Sequence, residues 1–292
     1  MFKKNWFLWL LSLIITLSSA YYQRATGPTH PLLGKIKIEN KVFKYKLPRT
    51  HGGNDAQAVS IIMPKKSISG FLVWKRYKTN DNWNYDSLKR SGDTLTAFLP
   101  GQPPAGKLEY YLKLEDNGNE YIIPEENIVV IRFKGKVPTG ILIPHILAMF
   151  LVMLFSTRAG LEIISRSGKV KAYVYWTLGF LIIGGFIFGP LVQKFAFGEL
   201  WAGIPFGWDL TDNKTLISLV GWLIVLWAFR KTKYPERWAL FGAIITFVIF
   251  LIPHSVLGSE LDYNKLDKEK QNKAKVEQIN QDKKEIKQNE TH

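Results

Sequence analysis

The tetrapeptide Leu-Ile-Pro-His occurs twice in this chain, at residues 142–145 and 251–254. Imidazole is its reactive group. Neutral imidazole is a favoured ligand of haem iron, copper and zinc, so His145 and His254 are candidate ligands of a cofactor or metal if the fold brings them to one level. Met149 follows His145 by one helical turn and Met153 by two, a thioether stripe suited to Cu(I). His30, in the stretch TGPTHP, could join such a metal cluster. A plainer account also fits. Proline in a first helical turn or just past a last one punctuates helices, the two histidines then lie at head-group level, and methionine fills gaps.

Other chemistry is not spelled out. The chain has no G-x-S-x-G elbow, no phosphate loop and no H-E-x-x-H helix, and Ser255 beside His254 does not make a hydrolase. The reading is therefore non-enzymatic.

The elements that must position these residues come from hydrophobic patterning. Hydrophobic residues make up 47% of 292 residues, and they are concentrated in runs at 6–22, 140–155, 173–192, 216–229 and 238–252. A membrane span needs ~20 mainly apolar residues to cross a ~30 Å hydrocarbon core, or slightly fewer when flanking groups snorkel. The runs predict an N-terminal segment followed by four transmembrane helices. No Lys, Arg, Asp or Glu lies inside the runs, which disfavours a channel or transporter.

Charge orders these helices. The net charge is +15, and basic residues cluster before the first run, between the second and third, and between the fourth and fifth. The loop between the third and fourth runs carries Glu199, Asp209 and Asp212 against Lys194 and Lys214. By the positive-inside rule Lys169 and Lys233 face the cytoplasm, while Lys89, Asp209 and Lys284 face outside. This is a multi-pass protein of the cytoplasmic (inner) membrane. A basic balance of this kind reflects topology and lipid contact, with no nucleic-acid partner. Ser18-Ser19-Ala20 fits a signal-peptide cleavage site, whereas Tyr21 and Tyr22 fit the interfacial belt of a retained anchor. The chain has no cysteine, so its exported segment folds without disulfides.

Between the first two runs the sequence reads as strands. KIKIENKVFKYK at 35–46 is a hairpin signal, and DNGN at 116–119 supplies residues for a tight turn between two further strands. Short strands at this spacing predict an all-β sandwich with Trp74 largely buried in its core. GFLVWKRY, followed by LTAFLPGQPPAGKLEYYLKLEDNGNE, resembles the later strands of immunoglobulin-like and fibronectin type III-like domains over about residues 56–133. The resemblance implies a binding or spacing module.

In the third run Gly185 and Gly189 lie four apart, a small-residue seam for close helix packing. The loop KFAFGELWAGIPFGWDLTDNKT is too aromatic for a simple tether. It is expected to lie across the outer membrane face or fold back over the helix ends, with Asp212 capping the fourth helix. The tail after residue 263 is charged and almost free of apolar residues, so it is either disordered or a solvated helix.

The chain thus divides into a signal anchor or signal peptide (1–22), an external Ig-like β-sandwich (23–137), a four-helix transmembrane domain (138–257) and a charged external tail (258–292). The function expected is that of a membrane scaffold or accessory protein, touching lipids and other membrane proteins and presenting the sandwich as a binding module. The alternative is a small haem- or metal-binding redox component, with haem or copper held by His145 and His254.

Overall fold

Strands and apolar helices segregate along the chain in a computed structural model that describes residues 5–253, 258 and 260–289. Helix α1 (Asn5–Thr26) leads into a hairpin of β1 (Leu32–Ile38) and β2 (Lys41–Leu47), whose register pairs Ile38 with Lys41 as KIKIENKVFKYK predicts. Then follow β3 (Thr50–Gly52), β4 (Gln57–Ile62), β5 (Ser69–Arg76), β6 (Asn84–Ser87), β7 (Lys89–Ser91), β8 (Thr94–Leu99), β9 (Lys107–Asp116), β10 (Asn119–Ile123) and β11 (Val129–Lys134). The DNGN turn joins β9 to β10 with Asp116 opposite Asn119, and Asn117 and Gly118 take the positive φ values of 49° and 82° that such a turn requires.

One sheet runs β3-β11-β9-β5-β6, with β10 also on β9, and another runs β4-β8-β7. Alternation along β9 sends Leu108, Tyr110, Leu112 and Leu114 inward, where they meet Val59, Ile61, Leu95 and Leu99 of the second sheet in one apolar cluster. Tyr110 is fully buried, and its hydroxyl donates to the Pro48 carbonyl at 2.8 Å. Trp74 does not hold the core as expected. It is half-buried at the cluster's margin, because its polar end reaches outward to donate from Nε1 to Asp86 Oδ2 at 2.6 Å.

The helical half comprises α2 (Thr139–Gly160), the short α3 (Glu162–Ser165), α4 (Val170–Leu181), a π-helical segment (Ile182–Phe188), α5 (Gly189–Phe197), α6 (Leu210–Ala228) and α7 (Pro235–Leu251). Among the described residues three stretches are long and apolar enough to cross a membrane: Asn5–Thr26, Thr139–Ser165 and Val170–Phe197. The fourth and fifth runs form α6 and α7, of 19 and 17 residues. Trp222 is the largest wholly buried side chain among the described residues, and its Nε1 donates to Thr246 Oγ1 at 2.8 Å.

Helix α1 belongs to this bundle. Its buried face is Leu8, Ser12, Thr16 and Ser19, and each hydroxyl donates to a carbonyl of its own helix, leaving a smooth surface that packs on α2 and α7. Pro144 lies in the second turn of α2, and not the first, because the helix already begins at Thr139. The tail takes the helical form of its two expected alternatives, α8 (Tyr263–Asn289).

The glycine seam is divided by the π segment. A Cβ at Gly185 would lie 2.5 Å from Thr215 of α6, and one at Gly184 would lie 2.8 Å from Ala148 of α2. At Gly189 the nearest atom is 3.3 Å away. Wider winding of the π segment shifts the face on which residues four apart meet, so adjacent Gly184 and Gly185 serve two neighbours while Gly189 stands off.

Candidate functional site

The bundle end next to the sheets gathers several polar side chains, among them Gln23, Arg132, Lys134, His145 and Lys214. Strand β11 runs straight into α2, and the Gly135 N–H donates to the Ala196 carbonyl at 3.0 Å, joining the strand exit to the end of α5. The Arg132 guanidinium lies 3.9 Å above the centre of the Phe197 ring. Burial lowers the Arg132 pKa to about 10. Lys134 is lowered to about 8, first by burial and then by the like charges of Arg132 and Arg24.

A cavity of about 210 Å³ opens beneath this joint, between α1, α2, α6 and α7. His145, Met149 and Met153 line it from α2, and Lys214 from α6. His145 Nδ1 lies 2.9 Å from the Gly184 carbonyl. A carbonyl only accepts, so Nδ1 carries the proton and Nε2 keeps its lone pair. Lys214 is 5% exposed and donates to the carbonyls of Ile252 (2.8 Å) and Pro253 (3.4 Å). Gln23 Nε2 donates to Phe250 (2.6 Å) and Ile252 (3.2 Å). These groups satisfy the carbonyls that α7 leaves open at its C-terminus, and the cation also suits the negative end of the helix dipole.

The expected ligand set is brought together only in part. His145 and Met149 share the cavity, as does Met153. His30 is in the turn after α1, with its Nδ1 3.1 Å from the Pro31 carbonyl, and does not line the cavity. His254 lies outside the described residues. Among the described residues no three His, Asp or Glu side chains converge in a way that could hold a metal ion.

The loop between α5 and α6 is built, not slack. Asp209, and not Asp212, is the N-cap of α6, accepting from the Thr211 and Asp212 amides, because the helix starts at Leu210, two residues before Asp212. Asp212 turns back to accept from the Ala202 N–H at 2.7 Å, and Asn213 accepts from the Ile204 N–H at 2.8 Å. Phe206 and Trp208 are left 82% and 83% exposed.

At the far end of the bundle lies an ion pair that sequence patterning alone assigns to a loop. Arg158 and Glu162 are both wholly buried, and Arg158 donates to Glu162 Oε2 at 2.8 Å and to Asn5 Oδ1 at 2.6 Å. Ser165, Ser167 and the Ser167 N–H donate to the same carboxylate. Tyr173 and Trp9 flank the guanidinium. The i,i+4 spacing of opposite charges was the available signal. It was masked by their position beyond the apolar run.

A scan against protein-family models and a search of curated proteins both return no match.

Proposed function

We propose that the chain is a multi-pass accessory protein of the cytoplasmic membrane that holds a β-sandwich binding module against its external face. In this reading α1 is a retained anchor, and α2, the α4–π–α5 unit, α6 and α7 are the remaining spans. The seat of the module carries the proposal: the Gly135–Ala196 hydrogen bond and the Arg132–Phe197 contact fix the last strand on the end of α5 at the point where it enters α2. A flexible tether would lack both contacts, and a fixed seat suits a module that must present one surface at a set height.

Two further features support parts of this reading. Sheets ordered β3-β11-β9-β5-β6 and β4-β8-β7 around a shared core are compatible with an immunoglobulin-like sandwich, in which β5, β9 and β11 would correspond to its C, F and G strands. Burial of Leu8, Ser12 and Thr16 against neighbouring helices favours retention of α1, since cleavage would expose that face.

Photo-crosslinking in cells tests the function. A benzophenone residue replacing Tyr85, exposed on edge strand β6, is expected to yield a discrete protein adduct. Adducts with lipid alone, or none, would remove the binding-module reading. The cofactor alternative has one observation in its favour, the oriented His145 ring, whose Nδ1 is held as in metal-bound histidines. It requires a Soret band or stoichiometric metal in the purified protein, lost on His145→Ala.

A further inference from the structure

We propose that the cavity between α1, α2, α6 and α7 binds one single-chain amphiphile with an anionic head, its carboxylate or phosphate at Lys214 and its chain running toward Met153. The site's polarity is graded. Helices α1 and α2 run antiparallel, as the Asn5–Arg158 contact at one end and the pairing of Gln23 and His145 in the cavity at the other require. Descending from Gln23 to Thr16 on one helix, or from His145 to Met153 on the other, covers about 10–12 Å at ~1.5 Å per residue. The upper level presents Gln23, His145 and Lys214, and the lower level is dominated by Met149, Phe150 and Met153.

Size sets the occupant's cross-section. A volume of about 210 Å³ exceeds the ~150 Å³ of an apolar cavity that holds benzene, which gives room for a length of one chain.

Charge selects the head. The Lys214 ammonium is buried, meets two backbone carbonyls and has no carboxylate within ion-pair distance among the described residues. Asp212, its nearest acid in sequence, accepts from the Ala202 N–H, and Asp209, which caps α6, attracts the ammonium only from beyond ion-pair distance. A buried cation is costly without a close counter-charge, and an ammonium has three donors, of which two meet carbonyls among the described residues, leaving the third to an incoming anionic oxygen.

Equilibrium binding to the purified full-length protein in a neutral maltoside detergent tests this, with radiolabelled palmitate, hexadecyl phosphate and hexadecanol as probes. Saturable binding of one palmitate or one hexadecyl phosphate per chain is expected, the better of the two identifying the head-group class. Hexadecanol should bind about tenfold more weakly, as loss of one charge-assisted contact implies. Lys214→Met should erase that difference, and Met149→Trp, which fills the cavity, should abolish binding of all three. Equal binding of palmitate and hexadecanol to the unaltered protein overturns the proposal without reliance on any variant. So does undiminished binding to a folded Met149→Trp protein, which would indicate partition into detergent. Full competition by inorganic phosphate would identify a free-anion site instead and end the amphiphile assignment.

Discussion

Lys134 carries a charge that the folded protein disfavours, because burial and the neighbouring Arg132 and Arg24 lower its pKa to about 8. In the unfolded chain it should titrate near ~10.4, so between these values the unfolded state binds more protons and stability rises with pH. Below pH 8 the penalty is fully present. Denaturation of the detergent-solubilised protein should therefore show a midpoint that climbs from pH 8 toward 10, and Lys134→Met should flatten this slope. An unchanged slope in the variant would assign the effect elsewhere. Arg158 and Glu162 illustrate the opposite case, a buried charge that is paired. Removing one partner by Arg158→Ala leaves a carboxylate in the interior and should lower stability by about 3–5 kcal/mol, whereas replacing both by apolar residues of similar volume should cost much less. A thermal-shift comparison of the single and double variants separates the two outcomes.

Within elements, close approach explains more than composition does. Gly185→Val would drive its side chain into Thr215 of α6 and should cost about 1–3 kcal/mol. Gly179→Ala meets nothing within 4 Å and should be neutral or stabilising by up to ~1 kcal/mol. Equal effects at the two sites, read from melting of the purified protein, would sink the packing account of the π segment. In the sheets, Tyr110→Ala should destabilise more than Trp74→Ala, since Tyr110 fills the core while Trp74 stands at its margin. Trp74 was the natural choice from sequence, because an aromatic on a central strand is expected inward. What alternation does not reveal is how far the second sheet extends over each inward position.

At the scale of the molecule, the tail returns to the β module. Glu260 bridges Lys78 (2.9 Å) and Lys107 (2.6 Å), Asp267 pairs with Arg76 at 2.8 Å, and Tyr263 is buried against Gln102 and Lys107. Burial pushes the Tyr263 hydroxyl up to about 12. Combined Glu260→Ala and Tyr263→Ala substitutions should speed hydrogen exchange at Leu261, whose N–H is held by the Ala105 carbonyl, and leave α2 unchanged. Protection that persists at Leu261 would show that the clamp does not depend on these side chains. Because the chain lacks cysteine, single cysteines at 89 and 169 give a clean reading of topology: 89 should react with an impermeant maleimide in intact cells, and 169 only after permeabilisation.

The sequence by itself determined where strands end and apolar helices begin, the two hairpins 35–46 and 107–123, and the helical cast of the runs. These follow from side-chain period and turn chemistry, which act over a few residues. It also marked His145 and Met149 as one face of a helix. Only the tertiary structure decided that Lys214 and Gln23 close the end of α7, that Arg158 and Glu162 are interior, that His30 stands apart, and that Asp209 caps α6 while Asp212 braces the loop before it. Each of these depends on which segments, distant in the chain, come within a few ångströms, and burial and hydrogen-bond partners are set by that approach and not by local pattern.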